Sequence, residues 1–338
     1  MKKKLVLLII CILALTGCGE NSSRTDTEGT EASTVKEKPV YKRKTKKTVQ
    51  KDGNSCVEEY DSEDRLLKIT YYNEDSSVRT TFTYSYDEKG NKIATVMEKA
   101  DGTRNYEKKS FDAEGNLIGE YEGDSEENLV LKRELEYASG LLMKETLYNN
   151  DGTLDHVYDY EYENGVQIRK TYTLPSGYLY RSWDYEYDDA GRRTRSTDSM
   201  HEHVTITQYD EQDRVVREDH YFKDSLSRST VNTYGEYGII DTIYLDADGS
   251  EIGHTRYYYE NGLVTRLVSV KEDGIETENA YWEYNADGQL IHFVNHRGYE
   301  STYEYNEYGD PVQEHNVCND PLRDAGVFDD MVYYAYEY

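Results

Sequence analysis

Proline is nearly missing from this chain, with four in 338 residues: Pro39, Pro175, Pro311 and Pro321. Proline cannot donate to a strand ladder, and none of the four falls inside an aromatic strand pattern, so long paired strands are permitted throughout. Extended apolar runs are missing too. The one stretch of note, Leu5–Leu15, is too short to span a bilayer as a helix. Basic residues are scarce beyond residue 51, with 27 Lys and Arg against 62 Asp and Glu, a net of −35. Such a surface repels phosphate backbones, which argues against nucleic acid as a partner; cationic partners fit better. No Gly-x-Ser-x-Gly, His-Glu-x-x-His or Gly-rich phosphate loop occurs, so the usual hydrolase, zinc-protease and nucleotide signatures are absent. Aliphatic residues are few enough that disorder would be the default expectation.

The chain has tyrosine in their place, 36 residues of it. A tyrosine ring buries a large area while its hydroxyl stays hydrated, which suits a thin structure with little interior. The tyrosines recur in a motif of Tyr, an acidic or amide residue, two free positions and Gly. Tyr86-Asp87-Glu88-Lys89-Gly90, Tyr187-Asp188-Asp189-Ala190-Gly191, Tyr284-Asn285-Ala286-Asp287-Gly288 and Tyr305-Asn306-Glu307-Tyr308-Gly309 are its clearest copies. Tyr60, Phe111, Tyr137, Tyr162, Tyr209, Tyr234 and Tyr259 head looser ones, and successive heads are 21 to 26 residues apart. A period of that length signals a repeat architecture.

Within a unit the residues alternate with period two: Phe82, Tyr84 and Tyr86 share one face of a strand, as do Tyr158, Tyr160 and Tyr162, and Trp183, Tyr185 and Tyr187. Each aromatic strand runs into a turn whose Asp, Asn and Gly supply left-handed backbone positions. An aliphatic strand follows, as at Leu117-Ile118 and Leu290-Ile291, and a second turn such as Asp101-Gly102 or Asp248-Gly249 ends it. The expected fold is all-β: a repetitive antiparallel hairpin meander of about eleven units of about 25 residues. Twist accumulates in a sheet of more than about 10 strands, so the array is expected to form a long curled or superhelical sheet.

The N-terminus has its own chemistry. Lys2, Lys3 and Lys4 precede the apolar run, which ends in Leu15-Thr16-Gly17-Cys18 and resembles the lipobox of bacterial lipoproteins. The resemblance implies a signal peptide over residues 1–17, acylation of Cys18 and anchoring to membrane lipid, facing outside the cytoplasm. Residues 18–51 read as a flexible tether ending in a basic collar, Lys36 to Lys51, and residues 52–338 as the repeat array with a C-terminal cap. Cys11 leaves with the signal, so only Cys56 and Cys318 are available to pair. In an open array they stand at opposite ends, beyond the about 7 Å between Cα atoms that a disulfide allows.

With its Tyr-Asp-x-x-Gly turns followed by a basic or polar residue, as in Tyr187–Arg192 and Tyr86–Asn91, the chain over residues 56–315 resembles the RHS or YD-repeat family. That resemblance implies a long curled β-sheet; large members form a hollow shell around a toxin domain. No toxin-like region follows the last turn, so toxin delivery is not expected. The Asn-Gly turns at Asn164-Gly165 and Asn261-Gly262 resemble MORN-like antitoxin repeats more loosely.

Two clusters carry metal-ligating residue types. In His201-Glu202-His203 two imidazoles would share a strand face, with His220 or Asp219 as a cross-strand partner, but a fourth ligand is missing. Asp246-Ala247-Asp248-Gly249-Ser250-Glu251 lacks EF-hand spacing and suits an ordinary turn. No catalytic residue, metal or cofactor is assigned. The expected function is a lipid-anchored, non-enzymatic envelope scaffold for an extracellular protein or glycan, the alternative being a carbohydrate or wall-polymer binding module that uses its tyrosine-rich faces.

Overall fold

The computed structural model describes residues 42–318 and 328–337. They form 24 β-strands of 6 to 10 residues and one short 3₁₀ turn, Glu126–Asn128. Every strand pairs antiparallel with its neighbours in the chain, and the first, Thr45–Gln50, pairs with the last, Phe328–Glu337. The sheet therefore closes into a barrel.

Closure corrects the expectation of an open curled sheet of eleven units. The seam runs from Thr45 opposite Glu337 to Gln50 opposite Val332. Tyr336 is a twelfth head, on the C-terminal strand, and the N-terminal strand plays the aliphatic partner that a turn would otherwise supply. The twelfth unit is thus split between the two ends of the chain. The domain limits shift accordingly, because Thr45–Gln50, including Lys46 and Lys47 of the expected collar, is wall rather than tether, and Phe328–Glu337 is half a unit rather than a cap.

Curvature has a local source. At all eleven heads from Tyr60 to Tyr305 the register slips just before the head residue. A bulge bends its strand and increases local twist, so the bulge at every head curls the sheet in regular steps, and seven of the far hairpins carry a second slip. Nine head hydroxyls donate to a backbone carbonyl just past the preceding unit's turn, at 2.7–3.0 Å: Tyr86 to Leu66, Tyr187 to Gln167, Tyr284 to Val264, Tyr305 to Leu290 and Tyr336 to Pro311 among them. Those nine head strands are thereby tied to the units before them.

The acidic position after the head is explained by its turn. Asp87 Oδ1 accepts from the Lys89 and Asn91 amides at 2.9 and 2.8 Å, while its Oδ2 accepts from the Asn91 side chain. Asp188 does the same with Ala190, Arg192 and the Arg192 Nε at 2.8 Å. Asn285 and Asn306 repeat the two backbone contacts. The residue after the Gly thus completes the bracket around the carboxylate. Gly90, Gly191, Gly288 and Gly309 all hold φ between 78° and 88°, which L side chains adopt at a cost.

The described residues have no central core. Among the described residues only Leu135, Val268 and Ala280 are buried apolar side chains. The wall is one sheet thick, with side chains packing along each face rather than between layers.

Candidate functional site: an aromatic and ionic belt

Following the register around the barrel sorts the side chains into two faces. One carries the heads and most ring pairs, and we call it the tyrosine face. Across the eight strands from Arg104–Phe111 to Arg193–Asp198 its side chains form a continuous belt. Lys109 pairs with Glu120 at 2.8 Å, Glu120 with Arg133 at 3.3 Å, and Arg133 with Glu145 at 2.7 Å. Tyr160 donates to Glu145 at 2.8 Å. Lys170 then lies 3.8 Å from the Tyr158 ring centre and 5.6 Å from that of Trp183. Arg181 covers Trp183 at 4.4 Å and binds Asp198 through two nitrogens. A second stretch crosses the seam: Tyr299 donates to Asn316, Asn316 and Tyr334 to Glu314, and Lys46 lies over Tyr334 while pairing with Glu58 at 3.4 Å.

These contacts set the electrostatics. Burial, and after it the hydrogen bond to Glu145, raises the Tyr160 phenol well above its ordinary range, so it remains a proton donor. Burial followed by the Glu314 contact does the same to Tyr334. Burial lowers the Lys170 ammonium. At Asp198 burial acts upward as the largest single influence, but hydrogen bonds from Arg181, His201 and the Met200 amide together outweigh it and hold the carboxyl at about 2.

Near the middle of the belt five rings gather. His156 stands 5.0 Å from Tyr158 and 4.7 Å from Tyr172, and Tyr172 stands 5.2 Å edge-on to Tyr180. Trp183 is 6.4 Å from Tyr158. Beside them Tyr178 is 64% exposed. Rings in this arrangement offer π-faces and edges with charged groups between, a surface suited to stacking and cation contact.

The residues singled out from the sequence fall as follows. Cys18 lies outside the described residues. Tyr86, Asp87, Gly90, Tyr187, Asp188, Gly191, Tyr284, Asn285, Gly288, Tyr305, Asn306 and Gly309 line one rim in the turn geometry given above. The histidine cluster is not brought together with Asp219. His201 binds Asp198 at 3.1 Å, His203 packs on Phe222 and His220 meets Thr205, all on the tyrosine face. Asp219 points to the other face, where it accepts from Ser229 at 2.6 Å and pairs with Arg217 at 2.8 Å. Asp246 and Asp248 accept from the Ala247 and Ser250 amides of their own turn. Sequence reasoning missed Lys170, Arg181, Glu145 and His156. No local signal marked them: Lys170 stands opposite Tyr160 yet lies over Tyr158, and Arg181 stands opposite Tyr172 yet covers Trp183 of its own strand.

Fold and belt together define the class: a closed, single-layer antiparallel barrel of hairpin repeats with an aromatic and ionic face. No family model and no curated protein matches the chain. Among solved structures it is similar to TcdB2-TccC3 without its hypervariable C-terminal region, at 13% identity and a TM-score of 0.40 over 82% of this chain. The chain spans 19% of that protein's length. It is also similar to a porin-like protein from Bacteroides uniformis ATCC 8492, at 13% identity and a TM-score of 0.22, covering 87% of this chain and 96% of the other.

Proposed function

We propose that this protein is an exported, non-enzymatic envelope barrel, held to membrane lipid through acylated Cys18 and serving, without a cofactor, as a scaffold for extracellular contact. The RHS or YD-type relationship belongs to this reading and rests on the turn motif. The observation that carries the proposal is the placing of charge on both faces of the wall. The tyrosine face has the belt, and the opposite face has Arg217 with Asp219, and Arg256 between Asp241 at 2.8 Å and Glu276 at 3.0 Å. A bilayer-spanning barrel needs an outward apolar band about 25 Å tall, and each Arg or Lys at mid-bilayer costs about 2–4 kcal/mol. A wall charged at mid-strand on both sides is better suited to standing in water, with the acyl chains providing attachment. Fractionation tests this. Cys18→Ala should lose fatty-acid label and leave the membrane fraction; retention of the unlabelled variant through an alkaline wash would mean that the barrel itself sits in the bilayer.

A second reading, a carbohydrate or wall-polymer module, is favoured by the five-ring cluster with Tyr178 beside it. Glycan retention that survives high salt and disappears in Tyr178→Ala/Tyr180→Ala would support it; retention lost with salt alone would point to charge.

A further inference from the structure

The rim opposite the Tyr-Asp turns is not uniform. Over five successive hairpins, each far turn places a large apolar side chain in water: Leu179, Met200, Phe222, Ile252 at 61% exposure and Ile275 at 56%. Tyr178 and Tyr180 extend the first position. Among the described residues, the rest of that rim offers only Val78. Because neighbouring hairpins are adjacent in the sheet, these side chains stand at successive positions along one arc of the rim, Leu179 toward the face away from the tyrosines and Phe222 toward the tyrosine face.

Two grooves cut the same arc. One, of about 510 Å³, lies between the turns at 199–202 and 223–224 and contains Glu202, Lys223 and Asp224. The other, of about 460 Å³, lies beside Ile252 between the turns at 247–250 and 271–275, and holds Glu251, Lys271, Glu272 and Asp273. Each is a net-negative cleft beside exposed apolar side chains. Glu202 already neutralises Lys223, at 3.8 Å.

We propose that this arc is a docking surface for an amphipathic helix with an apolar face and Lys or Arg toward its ends. The apolar side chains would lie on the ridge and the basic ones would enter the grooves. Helix rather than strand follows from topology, since a closed barrel has no free edge for a partner strand to join. Spacing follows from the sheet. The grooves are four strands apart, about 19 Å at about 4.8 Å per strand. A helix rising about 1.5 Å per residue covers that in roughly 13 residues. A second copy of the chain would set carboxylate against carboxylate, and an anionic lipid surface would be repelled in the same way. The inference rests on the scaffold reading in taking a polypeptide as partner, but not on the lipid anchor.

The test uses the purified full chain and two synthetic 18-residue helices, both leucine-faced, one with Lys at the groove spacing and one with Glu there, followed by fluorescence anisotropy. Saturable binding of the Lys helix is expected, weakened at least tenfold by Ile252→Ser/Ile275→Ser, about tenfold by Asp224→Asn/Glu272→Gln, and unchanged by Val78→Ser. All these positions are exposed, and circular dichroism verifies that each variant keeps its strand signal. Equal binding of the Glu helix, or indifference to the two isoleucines, overturns the proposal. So does self-association of the chain, or its capture by anionic vesicles, if either is abolished by Ile252→Ser/Ile275→Ser. Failure here leaves the fractionation result for Cys18 untouched, so the two readings fail separately.

Discussion

A single hydroxyl decides how firmly a unit is tied to the one before it. Phe111 occupies a head position without an OH, directly after a unit whose Tyr86 donates to Leu66 at 2.8 Å. Phe111→Tyr should gain about 0.5–1.5 kcal/mol by reaching the corresponding carbonyl of Lys92, and Tyr187→Phe should lose a similar amount. Denaturant melts of both variants check the pair, and equal midpoints would show that the head hydroxyls are exchanged for water at no cost. Backbone strain offers a parallel case. Ser76 holds φ of 65° at the turn position where Gly102 holds 82°, so Ser76→Gly should stabilise by about 1 kcal/mol. The bracketed carboxylates set the acid limit. Asp61, Asp87, Asp112, Asp188 and Asp210 all have their pKa lowered by hydrogen bonds from their own turns, and Asp198 is held at about 2. A carboxyl depressed on folding contributes stability that is complete above its unfolded value near 4 and lost as pH falls through the folded one. Stability should therefore decline between pH 4 and pH 2. Arg181→Leu should flatten that slope by removing Arg181's part of the Asp198 contribution, at most on the order of 1 kcal/mol once solvent screening is allowed for, while His201 and the Met200 amide remain. Melts at pH 2, 3, 4 and 6 measure it.

At the scale of the strand pair, much was legible. Period-two tyrosines placed the head strands, and the Asp and Gly after each head placed the turns, because both signals are local: a side chain and a backbone angle within five residues. The Asn-Gly turns are as readable, with Asn164 and Asn261 both at φ of 51°. What could not be read was pairing across distance. Thr45–Gln50 is a Lys-rich hexapeptide with a local hairpin partner, Ser55–Tyr60, and a second one nearly 300 residues away, Phe328–Glu337, and nothing in its own pattern announces that second pairing. The belt was illegible for the same reason, since Lys170 over Tyr158 needs the register between two strands before it exists. The cysteines show how an inference from one scale misleads at another. Closure brings the ends together, yet Cys56 and Cys318 are free thiols. Both seam strands stand between theirs, a separation of about 14 Å in the sheet direction alone. Thiol titration of the unfolded chain without reductant should find both reduced, and reduction should leave its melting midpoint unchanged.

For the whole molecule, the question is whether the seam differs energetically from the other 23 strand pairs. Lys44 N–H donates to the Glu337 carbonyl at 2.7 Å, so the two chain ends approach as the ends of any head turn do. Nearby the N-terminal segment takes over the turn-to-turn contacts of that rim. Arg43 pairs with Asp310 of the preceding unit and Lys42 donates to Ser62 of the next at 2.6 Å, much as Arg192 reaches Asp213 at 2.7 Å and Gln289 reaches Gly309. What the seam lacks is the covalent turn and the bulge that accompanies it. In a quasi-one-dimensional array stability is a sum over units and their interfaces, so the position of the chain break should matter little as long as all twelve units are complete. A permuted chain that joins Glu337 to Lys44 through an Asp-Asp-Ala-Gly-Arg turn and opens between Gly102 and Thr103 should therefore close the same barrel, with an unchanged strand spectrum and a melting midpoint within a few degrees. Deleting Phe328–Glu337 should do the opposite, leaving two bare edges about 10 Å apart across the gap and a chain that associates edge to edge. Sedimentation of both variants beside the parent separates the outcomes. If the permuted chain aggregates as the truncated one does, the covalent order of units, and not their number, is what closes the ring.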